Sequence, residues 1–116
     1  MEKISEDLLE RIANVLKVMG NPFRLRILQV LHEGEHSVTE ILDRVGGSQA
    51  NVSKHLNVLR SADLVSSRRE GVSVYYRISD ASVFSICETV CDSLLHQAKT
   101  KIATIAQGRA AIPTGG

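Results

Sequence analysis

The two cysteines of this 116-residue chain, Cys87 and Cys91, stand four residues apart. On a helix that spacing puts both thiols on one face, one turn apart. Two soft sulfurs so placed can share one soft ion, such as zinc, cadmium, lead or arsenite. The pair could also be oxidised, since Cα atoms at i and i+4 lie ~6 Å apart, inside the disulfide range although with poor Cβ geometry. Free cysteine is equally a common buried small hydrophobe, so sensing and simple packing stand level here. A second set of residues has different chemistry. Gln49, Ala50, Ser53, Lys54 and Asn57 share one side of a helical pattern, with Ser61 beyond them. Amides, hydroxyls and one ammonium, with almost no acid, suit a surface that lies against base edges and phosphates. Gln can pair bidentately with adenine, Ser and Asn donate or accept, Lys reads guanine or phosphate, and Ala50 can pack on a thymine methyl. A merely solvated amphipathic face is the competing reading, and this segment alone does not choose between them.

The elements around it do. Val52, Leu56, Leu59 and Ala62 form the opposite, apolar side at helical spacing. His55 falls beside that stripe, which assigns it a packed role with a helix-to-helix hydrogen bond rather than base contact or metal ligation. Upstream, Ser37-Val38-Thr39-Glu40 is a capping box opening a short helix over about Val38 to Val45. Gly46-Gly47 supplies a tight turn and Ser48 can cap the next helix. Short helix, glycine turn and polar-faced helix make a helix-turn-helix. Downstream, Val74, Tyr76 and Ile78 alternate with Ser73, Tyr75 and Arg77, as in a half-buried strand. With a turn at Arg69-Glu70-Gly71-Val72, Leu64 to Ile78 becomes a β-hairpin, and the unit a winged helix-turn-helix. Arg68, Arg69 and Tyr75 are the wing's candidates for phosphate or minor-groove contact. Which arginine reaches DNA depends on the hairpin's twist.

Asn21-Pro22-Phe23-Arg24-Leu25-Arg26-Ile27-Leu28, Val52-Ser53-Lys54-His55-Leu56-Asn57-Val58-Leu59 and Arg69-Glu70-Gly71-Val72-Ser73-Val74-Tyr75-Tyr76 together resemble the ArsR/SmtB family. These are small dimeric bacterial repressors, many of which sense metals or thiol-reactive signals. The resemblance covers about residues 8 to 100, in the expected order. It leaves the inducer open. The family's arsenic and cadmium regulators carry a cysteine box on the helix before the recognition helix, where this chain has Val38-Thr39-Glu40-Ile41-Leu42-Asp43. Its zinc regulators place four ligands along the last helix; of those positions Asp80 and His96 match, while Ser82 and Ser93 hold the other two. Asp80 and His96 are accordingly read as surface residues.

The chain's size suits one domain with a modest core. Four aromatic residues and no Trp argue against a deep aromatic-lined pocket. Net charge is only +1, but between Ser48 and Ile78 Lys54, Arg60, Arg68, Arg69 and Arg77 outnumber Asp63 and Glu70, a local +3. The charged amino terminus suggests no signal peptide. No segment approaches the ~20 apolar residues that would span a bilayer, so no membrane role is expected. Two cysteines make no disulfide scaffold, and the cytoplasm is the default location.

Ser5 can cap a first helix with Leu8, Ile12, Val15, Leu16 and Met19 as a broad apolar face, suited to a partner subunit or to a single-chain core; the family resemblance favours the partner. Asn21 and Pro22 start a second helix, running to about Glu33, that buries Phe23, Ile27, Val30 and Leu31. Arg24 and Arg26 lie off its stripe and, as isolated arginines, are read as solvated, with phosphate contact the alternative. The longest helical pattern runs from Asp80 to about Gln107. In it Phe84, Cys87, Cys91, Leu94 and Ala98 step by 3, 4, 3 and 4, a coiled-coil-like seam. So small a monomer has little left to cover that stripe, so the seam predicts a symmetric homodimer. A dimer presents two recognition helices to major grooves ~34–36 Å apart. Residues 1–107 thus read as one DNA-binding and dimerisation domain and residues 108–116 as a disordered tail.

The expectation is a mainly α, winged helix-turn-helix protein that dimerises through its terminal helices and represses transcription from a palindromic double-stranded DNA operator. A soft metal or metalloid ion (Zn, Cd, Pb, As) or a thiol-reactive signal at Cys87 and Cys91 is the expected inducer. Alternatives are a winged-helix DNA-binding regulator without cysteine-based sensing and a winged-helix protein-interaction module. An enzyme is not expected: Cys87 has no basic partner on its helix face, no glycine loop cradles phosphate, and no carboxylate pair is suggested.

Overall fold

A computed structural model describes residues 3–107 of the chain. The reading of 108–116 as a tail lies outside those residues. The chain falls into two compact units, one ending at Ala81 and the other beginning at Ser82.

The first unit is built from α1 (Glu6–Met19), α2 (Pro22–His32), β1 (His36–Ser37), α3 (Val38–Val45), α4 (Gln49–Ser61), β2 (Val65–Glu70) and β3 (Ser73–Ile78). Each helix starts where a short polar side chain can take up orphan backbone N–H groups. Ser5 Oγ accepts from Leu8 N at 3.2 Å. Asn21 Oδ1 accepts from Phe23 N at 2.9 Å and Arg24 N at 3.1 Å, with Pro22 in the first turn, where its missing N–H costs nothing. The end of α4 is a Schellman motif: Leu64 N donates to Leu59 O at 3.0 Å and Asp63 N to Arg60 O at 2.9 Å. Asp63 takes the left-handed conformation there, φ 60°, in a place usually given to glycine.

Ile27, Ile41, Val52, Leu56 and Leu59 are completely buried, joined by Leu28, Val30 and Leu31 of α2, by Leu64, and by Val65 and Tyr76 of the sheet. Burying each such aliphatic side chain stabilises the fold by ~1.5–3 kcal/mol. Phe23, expected in that core, is half-buried, and Leu28 takes a core place instead. Val18 and Met19 at the end of α1 are buried, whereas Leu8, Leu9, Ile12 and Leu16 are exposed, Leu16 at 51%. The broad apolar face of the first helix therefore stays outside the single-chain core.

The sheet has three strands rather than the expected two, in the order β1-β3-β2, all antiparallel. The added strand is only His36–Ser37, opposite Tyr76 and Tyr75. Two residues are too few to show alternation in a sequence. Glu70 pairs with Ser73 across the Gly71-Val72 loop. Gly71 supplies the positive φ of 62° at the first loop position, the type II′ arrangement that suits a twisted hairpin.

The second unit contains α5, Ser82–Gln107. At ~100° per residue, Phe84, Cys87, Cys91, Leu94 and Ala98 lie within the helix's apolar half, and Glu88, Asp92, His96 and Lys99 lie on the other. Val90, Leu94, Leu95, Ile102 and Ile105 of that half are more than half exposed. Among the described residues no helix is long and apolar enough to cross a membrane.

Candidate nucleic-acid interface

The interface is set by the turn between α3 and α4. The capping box closes as expected: Ser37 N donates to Glu40 Oε1 at 2.8 Å and Glu40 N to Ser37 Oγ at 3.1 Å. The Ser37 N–H donated to it, and then the Ser37 hydroxyl nearby, hold the Glu40 carboxyl below its ordinary value. Gly46 and Gly47 have φ of 78° and 85°, a backbone course that side chains with a Cβ rarely follow. Ser48 Oγ then accepts from Asn51 N at 3.1 Å and starts α4.

With Val52, Leu56 and Leu59 turned into the core, α4 leaves Gln49, Ala50, Lys54 and Asn57 exposed on its other side, with Ser53 half-buried among them. No acid stands in the first turn of α4, so the positive end of its backbone dipole is uncompensated there. Asn57 Oδ1 accepts from Arg60 Nη2 at 3.1 Å, and Arg60 Nη1 reaches Ser67 Oγ on β2 at 3.4 Å. That bond engages the amide oxygen of Asn57, so the group the side chain has left to offer a ligand is its NH₂.

Behind the helix, His55 sits where the sequence placed it. Its ring lies 5.0 Å from that of Phe23, tilted by 34°, and its Nδ1 is 3.4 Å from Arg24 Nη1. Arginine can only donate, so Nδ1 accepts and the imidazole proton sits on Nε2. Burial, followed by the nearby charges of Arg24 and Lys54, pushes the His55 pKa down. Arg24 is not the solvated residue expected. Its Nε donates to Val18 O at 2.7 Å, tying α1's last turn to the α2–α4 junction. Arg26 is exposed, as expected.

In the wing, successive residues of a strand point to opposite faces. Val65, Ser67 and Arg69 stand opposite Ile78, Tyr76 and Val74, on the face that carries buried Tyr76 and the Arg60–Ser67 link to α4. Arg68 and Tyr75 stand opposite one another on the reverse face. There Arg68 donates to Glu35 and Glu70, and its guanidinium lies over the Tyr75 ring, 4.7 Å from the centroid. Neither Glu35 nor Arg60 stands out in the sequence as a site residue. Arg60 is detectable only as the i+3 neighbour of Asn57, and Glu35 has no local signal.

Cys87 is half-buried and Cys91 exposed, both as free thiols. Asp80 and His96 are exposed. Among the described residues no group of three or more His, Cys, Asp or Glu side chains could hold a metal ion.

A helix-turn-helix domain family matches residues 19–68, the span from the end of α1 to mid-β2. The biofilm growth-associated repressor of Xylella fastidiosa is 38% identical over 79 residues, covering 66% of this chain and 69% of that protein. The resemblance in sequence extends to structure: a homodimeric winged helix-turn-helix DNA-binding domain of Mycobacterium bovis, a possible ArsR-family regulator, superimposes with a TM-score of 0.72 at 36% identity, over 84% of this chain and 95% of that one. The chain belongs to the ArsR/SmtB family. Family members can be longer. The HTH-type transcriptional regulator Rv0324 of Mycobacterium tuberculosis is 38% identical over 91 residues, which make up 76% of this chain but 40% of that protein. In this family the chain is a winged helix-turn-helix protein, and the relatives it matches are described as transcriptional regulators and repressors.

Proposed function

We propose that the protein is a dimeric, sequence-specific repressor that lays α4 in the major groove of a palindromic operator in the cytoplasm. The observation that carries this reading is the exposed, acid-free side of α4, held outward by a glycine turn and by burial of Val52, Leu56 and Leu59. Gln49, Ala50, Ser53 and Asn57 choose bases, Asn57 offering its NH₂ to an acceptor on a base edge. Lys54 and Arg69 attract phosphate. A second copy covers the Phe84, Cys87, Cys91, Leu94 and Ala98 side of α5, a reading supported by the exposure of its apolar half and by the homodimeric relative.

Release from DNA is proposed to follow a thiol-directed signal at Cys87 and Cys91. One chain offers two sulfurs and no third metal ligand beside them among the described residues, so a metal site within one subunit does not fit. Oxidation needs only the thiols, which lose two electrons and two protons to the oxidant. The change then acts on the helix face that holds the dimer. Coupling of ~1–3 kcal/mol lowers DNA affinity about 5- to 150-fold.

The test is selection from a random duplex pool followed by gel-shift titration, with and without peroxide, polysulfide, zinc, cadmium, lead and arsenite. The same series is run on the Cys87→Ser, Cys91→Ser protein. Enriched palindromes whose binding is lost on treatment, in wild type alone, support the proposal. Equal responses of the two proteins to every agent refute the cysteine assignment, and a pool without enrichment refutes sequence-specific binding.

A further inference from the structure

The two wing arginines are neighbours in sequence with opposite surroundings. Arg68 Nε donates to both carboxylate oxygens of Glu35 at 3.0 Å, Nη2 donates to Glu35 Oε1 at 2.6 Å, and Nη1 donates to Glu70 Oε2 at 2.7 Å. Its planar head crosses the Tyr75 ring on the way. Ser37 of β1, Tyr75 of β3 and Arg68 of β2 lie in one cross-strand row, so this side chain spans the sheet's width. It joins the α2–β1 connection at one edge to the hairpin tip at the other. All three of its nitrogens are engaged, and two carboxylates offset its one charge. Arg69, on the face that carries Tyr76, is exposed and engages no carboxylate among the described residues.

We propose that Arg68 is a positioning residue and not a phosphate contact: with Glu35 and Tyr75 it braces the wing at the angle that brings Arg69 to the DNA backbone. The arrangement supports this because a two-residue loop on a short hairpin has little else to fix its direction, and a forked, stacked arginine is a directional tie where lysine is not. The carboxylate of Glu35 therefore serves DNA binding, although by charge alone it opposes it. This inference rests on the DNA-binding reading above.

That opposition gives a test by sign. Glu35→Gln removes a negative charge near DNA and frees the Arg68 fork. If Arg68 were a phosphate contact, this variant would bind duplex more tightly, with a steeper salt dependence. A brace predicts the reverse: affinity for the pool-selected duplex falls about two- to fivefold, the scale of a well-formed surface ion pair, at unchanged salt slope. Arg68→Lys keeps the charge and should show the same loss. Arg69→Ala should flatten the slope by roughly one unit. Hydrogen exchange of the free, full-length protein reads the brace without DNA: amides at the tip, residues 70–73, should exchange faster in Glu35→Gln and Arg68→Lys but not in Arg69→Ala. Affinity of Glu35→Gln at or above wild type overturns the proposal, as does unchanged exchange at the tip. Absence of duplex binding by the wild type would instead overturn the DNA-binding reading, with the exchange data still deciding whether the brace exists.

Discussion

α4 and α5 are both amphipathic, and they settle their apolar sides differently. In α4, Val52, Leu56 and Leu59 are wholly buried within the chain that carries them. In α5, Leu94, Leu95, Ile102 and Ile105 remain 55–67% exposed. The hydrophobic effect acts equally on both stripes, so the difference lies in the cover the chain offers each helix. A helix whose apolar side is satisfied within its own chain is rigidly presented, and its polar side is free for a ligand. A helix whose apolar side is left open is itself a binding surface, and a single-chain core is not where its energy is realised.

This contrast can be broken by matched substitutions. Leu56→Ala should cost ~2–5 kcal/mol of folding stability through lost burial and a residual cavity, read by denaturant unfolding at fixed protein concentration. Leu94→Asp should leave the folded subunit intact and weaken the proposed dimer by ~3 kcal/mol, the order of cost for an unpaired charge in an apolar interface. Sedimentation equilibrium and circular dichroism on one sample separate the two effects. An unchanged dimer in Leu94→Asp would move the interface off this face of α5, and unfolding of that variant would show that α5 is covered within its own chain.

The polar side of α4 sharpens the comparison further. Gln49→Ala and Asn57→Ala should each cost ~1–3 kcal/mol on selected duplex and much less on random duplex. Equal losses on both would show that the helix holds phosphate and does not read bases.

How far these surfaces were legible in sequence follows from the range of the interactions that make them. The boundaries of α3 and α4 can be read because Ser37, Glu40, Gly46, Gly47 and Ser48 act within a few residues of themselves. The buried stripe of α4 can be read because it is periodic. Arg24 is misread as solvated because its partners are Val18 O and a histidine 31 residues away, which no local pattern announces. The two wing arginines look alike in sequence. They separate only once the pairing of β2 with β3 assigns each to a face, and Glu35, 33 residues from Arg68, becomes visible only then.

The smallest effect expected comes from His55, beside the buried stripe of α4. His55 meets Phe23 and Arg24 from α2, with Lys54 beside it on its own helix. Burial and these two cations all disfavour the imidazolium, and the Arg24 bond requires a neutral Nδ1 acceptor. The folded-state pKa is therefore below the ordinary value of 6.5. As pH falls through that ordinary value the unfolded chain takes up a proton that the folded chain refuses, so stability declines, and the decline ends once pH is below the folded pKa. Glu35 and Glu40, whose carboxyls are held below their ordinary 4.5, lose their contributions only in more acid solution. Between about pH 7 and pH 5 the wild type should thus lose thermal stability that a His55→Gln protein does not. The difference should be smaller than the loss from Leu56→Ala. Because His55 joins α2 to α4, DNA affinity should follow stability downward in that window. Parallel melting curves of wild type and His55→Gln across the window would show that the histidine contact between α2 and α4 does not govern this pH dependence.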